Sequence, residues 1–302
     1  MTIPPRIELR MTTADWALLL LLSVIWGAGY FWGTVALTEL PAFTIIFCQA
    51  FLATIVLIPV ALVARQPLLV SWQAGAICLA LGCLNVLVPS GLLLWSQPRI
   101  GIGLTSILAA TAPLCTVLVA HFLTDDEKMS SPRVIGLLVA LAGVAVSLQL
   151  EKHDIESSLL PQIAALAAAL SQAFAGVLAR RSKQVHVLQL VIGQLAAASL
   201  LSLPIVVFVD KPWTTASVSL ATWLAILALA LPTTAVGYLI FFRLVVRTGA
   251  VNGALISLLV PVTALLLGTF ALGEVLQWQA VAGAALIFCG LATLDGRLLG
   301  RA

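Results

Sequence analysis

The sequence predicts an all-α integral membrane protein. Ten transmembrane helices are expected in two inverted five-helix repeats, with both termini cytoplasmic. Three observations carry this prediction: the composition, the spacing of the apolar runs and the placement of Lys and Arg. Of 302 residues, 62% are hydrophobic and only 9% are charged, and the mean hydropathy is +1.14. A soluble domain carries about 25% charged residues to cover its surface, so lipid must solvate this chain. The same figures exclude a disordered chain and a coiled coil. The net charge is only +3 and the Lys and Arg are scattered, so no basic surface exists to hold a nucleic acid.

A bilayer core of about 30 Å takes roughly 20 apolar residues per helix. The first apolar run, 14–36, follows a polar segment with Arg6, Glu8 and Arg10. The second, 41–64, opens at Pro41 and stops at Arg65. The third and fourth, 72–95 and 101–122, are parted by Pro98 and Arg99 and end before Asp125-Asp126-Glu127. The fifth, 132–150, runs up to Glu151 and Lys152, and the sixth, 158–180, up to Arg180-Arg181. The seventh, 187–209, stops at Asp210-Lys211, and the eighth, 217–242, at Arg243. The ninth and tenth are 250–272 and 277–296, separated around Gly273-Glu274. A β-barrel would instead show runs of about ten residues with alternating polarity. No small-residue cleavage site follows the first run, which is expected to stay in the membrane.

Cytoplasmic segments of membrane proteins are enriched in Lys and Arg. With the N-terminus inside, 12 of the 15 basic residues fall on inner segments, and only Arg99, Lys152 and Lys211 fall outside. A multi-pass protein of the cell inner membrane is therefore expected. Trp16, Trp72, Trp213 and Trp278 stand at span ends, where indoles anchor at the interface. Cys48, Cys78, Cys83, Cys115 and Cys289 all lie inside spans without metal or redox spacing, and are expected to be small packing residues. No cofactor and no metal are expected.

Shifting the chain by 148 residues places Gly101, Thr105, Ala109 and Pro113 on Gly249, Gly253, Ser257 and Pro261. The same shift carries Ser23 to Ser171 and Trp26 to Phe174, and a shift of 147 carries Gly136 and Gly143 to Gly283 and Gly290. This divides the chain into repeats 1–150 and 151–302. Five spans per copy is an odd number, so the copies insert upside-down relative to each other, as in many transporters. Small residues every fourth position let helix backbones approach closely in lipid. Close packing of the fourth span on the ninth is therefore expected.

On Ser23-Val24-Ile25-Trp26-Gly27, the Pro113 and Pro261 spans, the glycine-rich fifth and tenth spans, and Phe270-Ala271-Leu272-Gly273-Glu274, the chain resembles the drug/metabolite transporter superfamily. Within it, the resemblance is to the EamA-type exporters. More narrowly, it is similar to bacterial exporters of aromatic and other neutral amino acids. The resemblance implies a basket of ten helices around a central cavity, with spans five and ten peripheral. The first copy departs from the pattern, with Asp125-Asp126 where the second has Gly273-Glu274.

No Asp, Glu, Lys or Arg lies in the middle of any span. Intramembrane charges mark proton relays, ion sites and pockets for charged solutes, so neutral or zwitterionic cargo and uncoupled transport are expected. Near mid-span stand the amides Gln49, Asn85, Gln172 and Gln194. Pro89 cannot donate to the carbonyl of Asn85 four residues earlier. The same holds for Ala109, Ala228 and Ser257, and carbonyls released in this way would suit an ammonium group. Trp26 and Tyr30 share a helix face, and each ring carries a polar handle that needs a partner when buried.

The expected substrate-binding residues are Trp26, Tyr30, Asn85, Trp95, Gln172, Phe174 and Tyr238. The expected function is export of neutral or zwitterionic solutes, above all hydrophobic and aromatic amino acids, by alternating access. A multidrug or metabolite exporter of lipophilic compounds is the alternative. An intramembrane enzyme would need a paired-His helix, a Gly-x-Ser-x-Gly turn or an acidic metal cluster within a span, and the sequence has none. The partners expected are a small-molecule substrate and the lipid bilayer, and no nucleic acid.

Overall fold

The structure is a computed structural model that describes residues 12–66, 71–123, 131–147, 155–181, 185–214, 217–248 and 256–294. Among the described residues the chain is helical, with no strand. Helix α1 (Thr13–Leu37) begins where Thr12 and Asp15 satisfy each other's backbone N–H groups, at 2.9 and 3.3 Å. Those donors have no partner inside the helix. Helix α2 (Ala42–Val63) starts after Pro41, which offers no side-chain cap.

Helix α3 (Trp72–Leu81) passes through a π-helical turn, Gly82–Leu87, into α4 (Val88–Ala109). Pro89 has no N–H for the Asn85 carbonyl, and the ladder widens just before it. The Val88 N–H bonds to the Cys83 carbonyl five residues back. Read by hydrogen bonds alone, Trp72–Ala109 is one run of 38 residues. It is broken at Gly101, where φ is 78° and ψ is 158°, a conformation open to glycine and costly to other residues. The third and fourth apolar runs part at that point. A second interruption at Ala110 and Thr111 precedes Pro113 and α5 (Ala112–Leu123).

Helices α6 (Ser131–Ser147), α7 (Ile155–Arg181) and α8 (Val187–Ile205) follow, the last widening into a π turn at Val206–Asp210 behind Pro204. Helix α9 (Leu220–Ala228) leads through a π-helical segment, Leu229–Val236, into α10 (Gly237–Thr248). The chain closes with α11 (Ile256–Leu272) and α12 (Trp278–Leu294).

Among the described residues, six helical runs are long and apolar enough to cross a membrane: Thr13–Leu37, Ala42–Val63, Trp72–Ala109, Leu159–Ala179, Val187–Thr214 and Leu220–Phe241. Shorter apolar helices occupy Ala112–Leu123, Ile135–Val146, Leu259–Leu272 and Trp278–Gly290. Leu20, Val24, Ile55, Leu138, Leu200 and Leu266 are among many exposed large apolar side chains, which only lipid can cover at low cost. Trp16, Trp72, Trp213 and Trp278 are exposed at helix ends. The five cysteines are unpaired. Asp125, Asp126, Gly249 and Gly253, with Arg6, Arg10, Lys128, Lys152, Lys183, Arg297 and Arg301, lie outside the described residues.

Small residues set the close crossings. The residues after Gly101 pack on α11: a Cβ on Gly103 would stand 2.6 Å from the Leu265 side chain, and one on Gly268 3.1 Å from Ile102. Helices α6 and α12 lie backbone to backbone. A Cβ on Gly143 would meet the Gly283 carbonyl oxygen at 2.7 Å, and one on Gly290 the Gly136 carbonyl oxygen at 2.5 Å. Leu137, Ala140, Val144, Ala284 and Ile287 fill that seam and join it to Leu104, Ile107 and Leu108 of α4.

Candidate functional site

A cavity of about 840 Å³ opens between α1, α2, the α3–α4 unit, α7, α8, the α9–α10 unit and α11. Its wall is built around two of the three π-helical turns. Asn85 lies in Gly82–Leu87 and Thr233 in Leu229–Val236, 148 residues apart, at positions related by the repeat. A π turn widens the helix and leaves backbone groups out of the regular ladder, which suits it to functional sites. Here the other half of the chain satisfies two carbonyls and a local hydroxyl a third. The Trp26 indole N–H donates to the Thr233 carbonyl at 3.0 Å. The Ser171 hydroxyl donates to the Leu84 carbonyl at 2.7 Å. The Ala228 carbonyl, expected to stand free because of Pro232, accepts from the Thr233 hydroxyl at 2.9 Å. That carbonyl and the Trp26 N–H are therefore engaged within the protein, and Trp26 presents its ring to the cavity rather than a donor.

The polar lining is dominated by amides. Asn85 donates to the Gln194 side-chain oxygen at 3.0 Å and to the Tyr238 hydroxyl at 3.5 Å. Gln49 donates to Thr234 at 2.7 Å, and Thr34 donates to Gln97 at 3.4 Å. Among the described residues the Gln172 amide has no protein partner. Neither do the Asn85 side-chain oxygen and the Gln194 amide nitrogen. Gln194 is buried, where an amide without a partner costs roughly 1–3 kcal/mol. The half-buried Asn85 and Gln172 face the cavity, so these groups are set for water or a polar solute. The apolar side of the cavity is aromatic: Trp26 meets Tyr238 edge-on at 6.3 Å and Phe241 tilted at 5.4 Å between ring centroids. Leu93, Leu94, Val191 and Val260 complete it. No charged residue lines the cavity among the described residues, and none of them form a group of three or more potential metal ligands.

Of the residues singled out from sequence, Trp26, Tyr30, Asn85, Gln172 and Tyr238 line this one cavity. Trp95 and Phe174 are absent from its wall. Trp95 is partly exposed beneath the Arg99 guanidinium, which sits 4.1 Å from its ring centroid and donates to its carbonyl. Phe174 is 41% exposed on the far side of α7. The wall also contains Ser90, Gln97, Thr233 and Thr234. Their signal was weak: Thr233 and Thr234 follow Pro232, and Gln97 reads as the end of a span because Pro98 and Arg99 come next.

The cavity reaches Ala179, Val185 and Val187, at the junction of α7 and α8, and Gln97 toward the other end. Gln97 is buried, as is Ser96 beside it. At that second face three carboxylates bond to backbone N–H groups. Glu39 accepts from Ser219 at 2.7 Å, and Asp210 accepts from the Thr44 N–H at 2.7 Å and its hydroxyl at 2.9 Å. Glu274 accepts from Ile102 at 2.7 Å and Gly103 at 3.2 Å. The Ser219 N–H, and after it the Thr222 hydroxyl, hold the Glu39 carboxyl below its ordinary range.

The sequence matches the EamA-like transporter family over residues 15–149 and again over 159–294. An uncharacterized transporter of Bacillus subtilis, YoaV, is 23% identical over 271 residues, covering 89% of this chain and 92% of that protein. An uncharacterized transporter of Archaeoglobus fulgidus is 25% identical over 222 residues, covering 74% of this chain and 78% of its own. A solved protein crystal structure superposes with a TM-score of 0.69 at 19% identity, over 96% of this chain and 99% of that one, a likeness of fold. The repeated match and the helical membrane architecture lead to one conclusion: this chain is a multi-pass membrane protein that belongs to the EamA-like transporter family.

Proposed function

We propose that the protein exports small neutral or zwitterionic solutes with apolar or aromatic side chains, and that the central cavity binds them. The observation that carries this reading is the cavity lining, which is amide-rich and aromatic yet uncharged among the described residues. A charged solute in a low-dielectric site needs a counter-charge, whereas amides and hydroxyls can share hydrogen bonds with both ends of a zwitterion. The rings of Trp26, Tyr30, Tyr238 and Phe241 would take the side chain. Ten spans with inverted halves and both termini cytoplasmic fit the 12 to 3 division of basic residues. In that topology the α7–α8 junction is cytoplasmic, so the cavity described above is the inward-reaching form of an alternating-access cycle. With no carboxylate among the described residues of its wall, flux follows the solute gradient and needs no proton.

The test is flux in proteoliposomes across a panel of Trp, Phe, Thr and Met against lipophilic dyes, counted per folded transporter. Trp26→Ala and Asn85→Ala should each lower amino-acid flux about tenfold or more, since each removes both packing and hydrogen-bond order at the site. An imposed pH gradient should not drive uphill accumulation. Dye transport without amino-acid transport would reassign the cavity to lipophilic cargo, and wild-type flux in both variants would place the binding site elsewhere.

A further inference from the structure

The face at which the cavity ends under Gln97 is tied together in an unusual way. Four acidic side chains are described in the structure: Asp15, Glu39, Asp210 and Glu274. Asp15 caps its own helix. Each of the other three bonds at a helix start in the opposite half of the chain. Glu39, in the first half, takes the N–H of Ser219, the N-cap of α9. Asp210, in the second half, takes the Thr44 N–H in the first turn of α2, whose N-cap Pro41 supplies no side-chain bond. Glu274, also in the second half, takes the first N–H groups after the break at Gly101.

We propose that Glu39, Asp210 and Glu274 form a gate. Together they hold the Lys211-bearing face shut, and the cavity opens to that face only when they release the helix starts of the opposite half. This inference rests on the carrier reading above and adds the device that would control one side of it. The first N–H groups of a helix lack internal partners and carry the positive end of its dipole, so a carboxylate is a strong partner for them. All three pairings lie at connections between helices, at or near the ends of the apolar runs. When the halves part, water can replace each partner at both ends. Separation at mid-membrane depth would leave the same groups bare in hydrocarbon. Helix starts capped from across the halves therefore form a reversible lock, whereas a cap drawn from the same helix ties no halves together. Gly101 serves the same arrangement. Its left-handed turn brings two consecutive N–H groups onto Glu274, and a Cβ there would stand 2.9 Å from the carboxylate.

The experiment reads side-specific accessibility, which needs no substrate. In a full-length chain with its five native cysteines replaced, Leu93→Cys places one thiol in the cavity wall, and Lys211→Cys in a separate variant marks the gated face. A membrane-impermeant maleimide should label Leu93→Cys slowly from the Lys211 side. Adding Glu39→Ala, Asp210→Ala and Glu274→Ala should raise that rate about tenfold or more, because every lost charge-assisted bond shifts the equilibrium toward the open form. Asp210→Asn and Glu274→Gln keep an accepting oxygen and should fall between. An unchanged rate from the Lys211 side in a folded triple variant overturns the gate. As a second measurement, Thr44→Cys with Asp210→Cys, bridged by a short bifunctional thiol reagent, should stop flux while leaving labelling from the opposite face intact. Undiminished flux in the bridged protein likewise overturns it. Failure of the amino-acid panel with a working gate would change the cargo and not the lock.

Discussion

At the scale of the residue, Trp26 shows how one side chain can be both wall and bolt. Its ring lines the cavity and packs on Tyr238 and Phe241, while its N–H is spent on the Thr233 carbonyl in the other half. The two roles can be separated. Trp26→Phe keeps an aromatic face and leaves that carbonyl without its donor, which should cost about 1–3 kcal/mol. Thermal unfolding in detergent should show the loss, and flux per folded molecule should stay well above that of Trp26→Ala. If Trp26→Phe abolishes flux at unchanged stability, the N–H rather than the ring serves the solute. The pair Gln172 and Phe174 teaches a similar lesson. Two residues apart on a helix means about 200° of rotation, so one helix cannot send both side chains into the same cavity. The structure directs Gln172 inward and leaves Phe174 outside.

At the scale of the element, proline placement explains the shape of the cavity wall. Pro89 and Pro232 each adjoin or lie within a π-helical turn, because a missing N–H lets the ladder slip to a five-residue spacing. The turns around Asn85 and Thr233 share one repeat position, so the repeat delivers polar side chains to the cavity from both halves. Glycine has a different task in α6 and α12, where it removes bulk so that two backbones can touch. Gly290→Leu would drive a side chain into the Gly136 carbonyl and Ala140, 2.5 and 2.6 Å from the first added atom. It should lower stability by about 1–3 kcal/mol, the usual cost of overpacking, read as a fall in Tm in detergent. Because these helices lie away from the cavity, flux per folded molecule should hold. A stable variant with reduced flux would instead make the α6–α12 seam part of the moving machinery.

At the scale of the whole molecule, a cavity uncharged among its described residues and a carboxylate-laced face belong together. Uncharged walls keep desolvation of a neutral solute cheap, and the charges are kept where water can reach them. The topology that joins these features is directly testable in intact cells. A cysteine introduced at Lys152 should react with an impermeant thiol reagent from outside, and one at Ser182 only after the cytoplasmic face is exposed. Labelling of both from the same side would break the inverted arrangement. Since a zwitterion carries no net charge, its flux should also be nearly indifferent to membrane potential, which acts only on moved charge.

Helical class and the twofold repeat were legible in the sequence, because each is a one-dimensional property. Lipid demands long apolar runs, caps and prolines punctuate them, and a repeat shows itself at a fixed shift. Amides at mid-span could be read as candidates for the same reason, and Asn85 and Gln172 line the cavity. What the sequence could not decide was pairing across the two halves. Whether the Trp26 N–H stays available depends on a carbonyl 207 residues away. Whether Gln97 is loop or cavity wall depends on Thr34 approaching it. The role of Glu274 is the clearest case. In the sequence it is an acid at the end of a span, and only the left-handed turn at Gly101, brought beside it by the packing of α4 on α11, makes it a cap for another helix. Local chemistry sets what each residue can donate or accept, and only the tertiary packing of one half on the other decides which partner it meets.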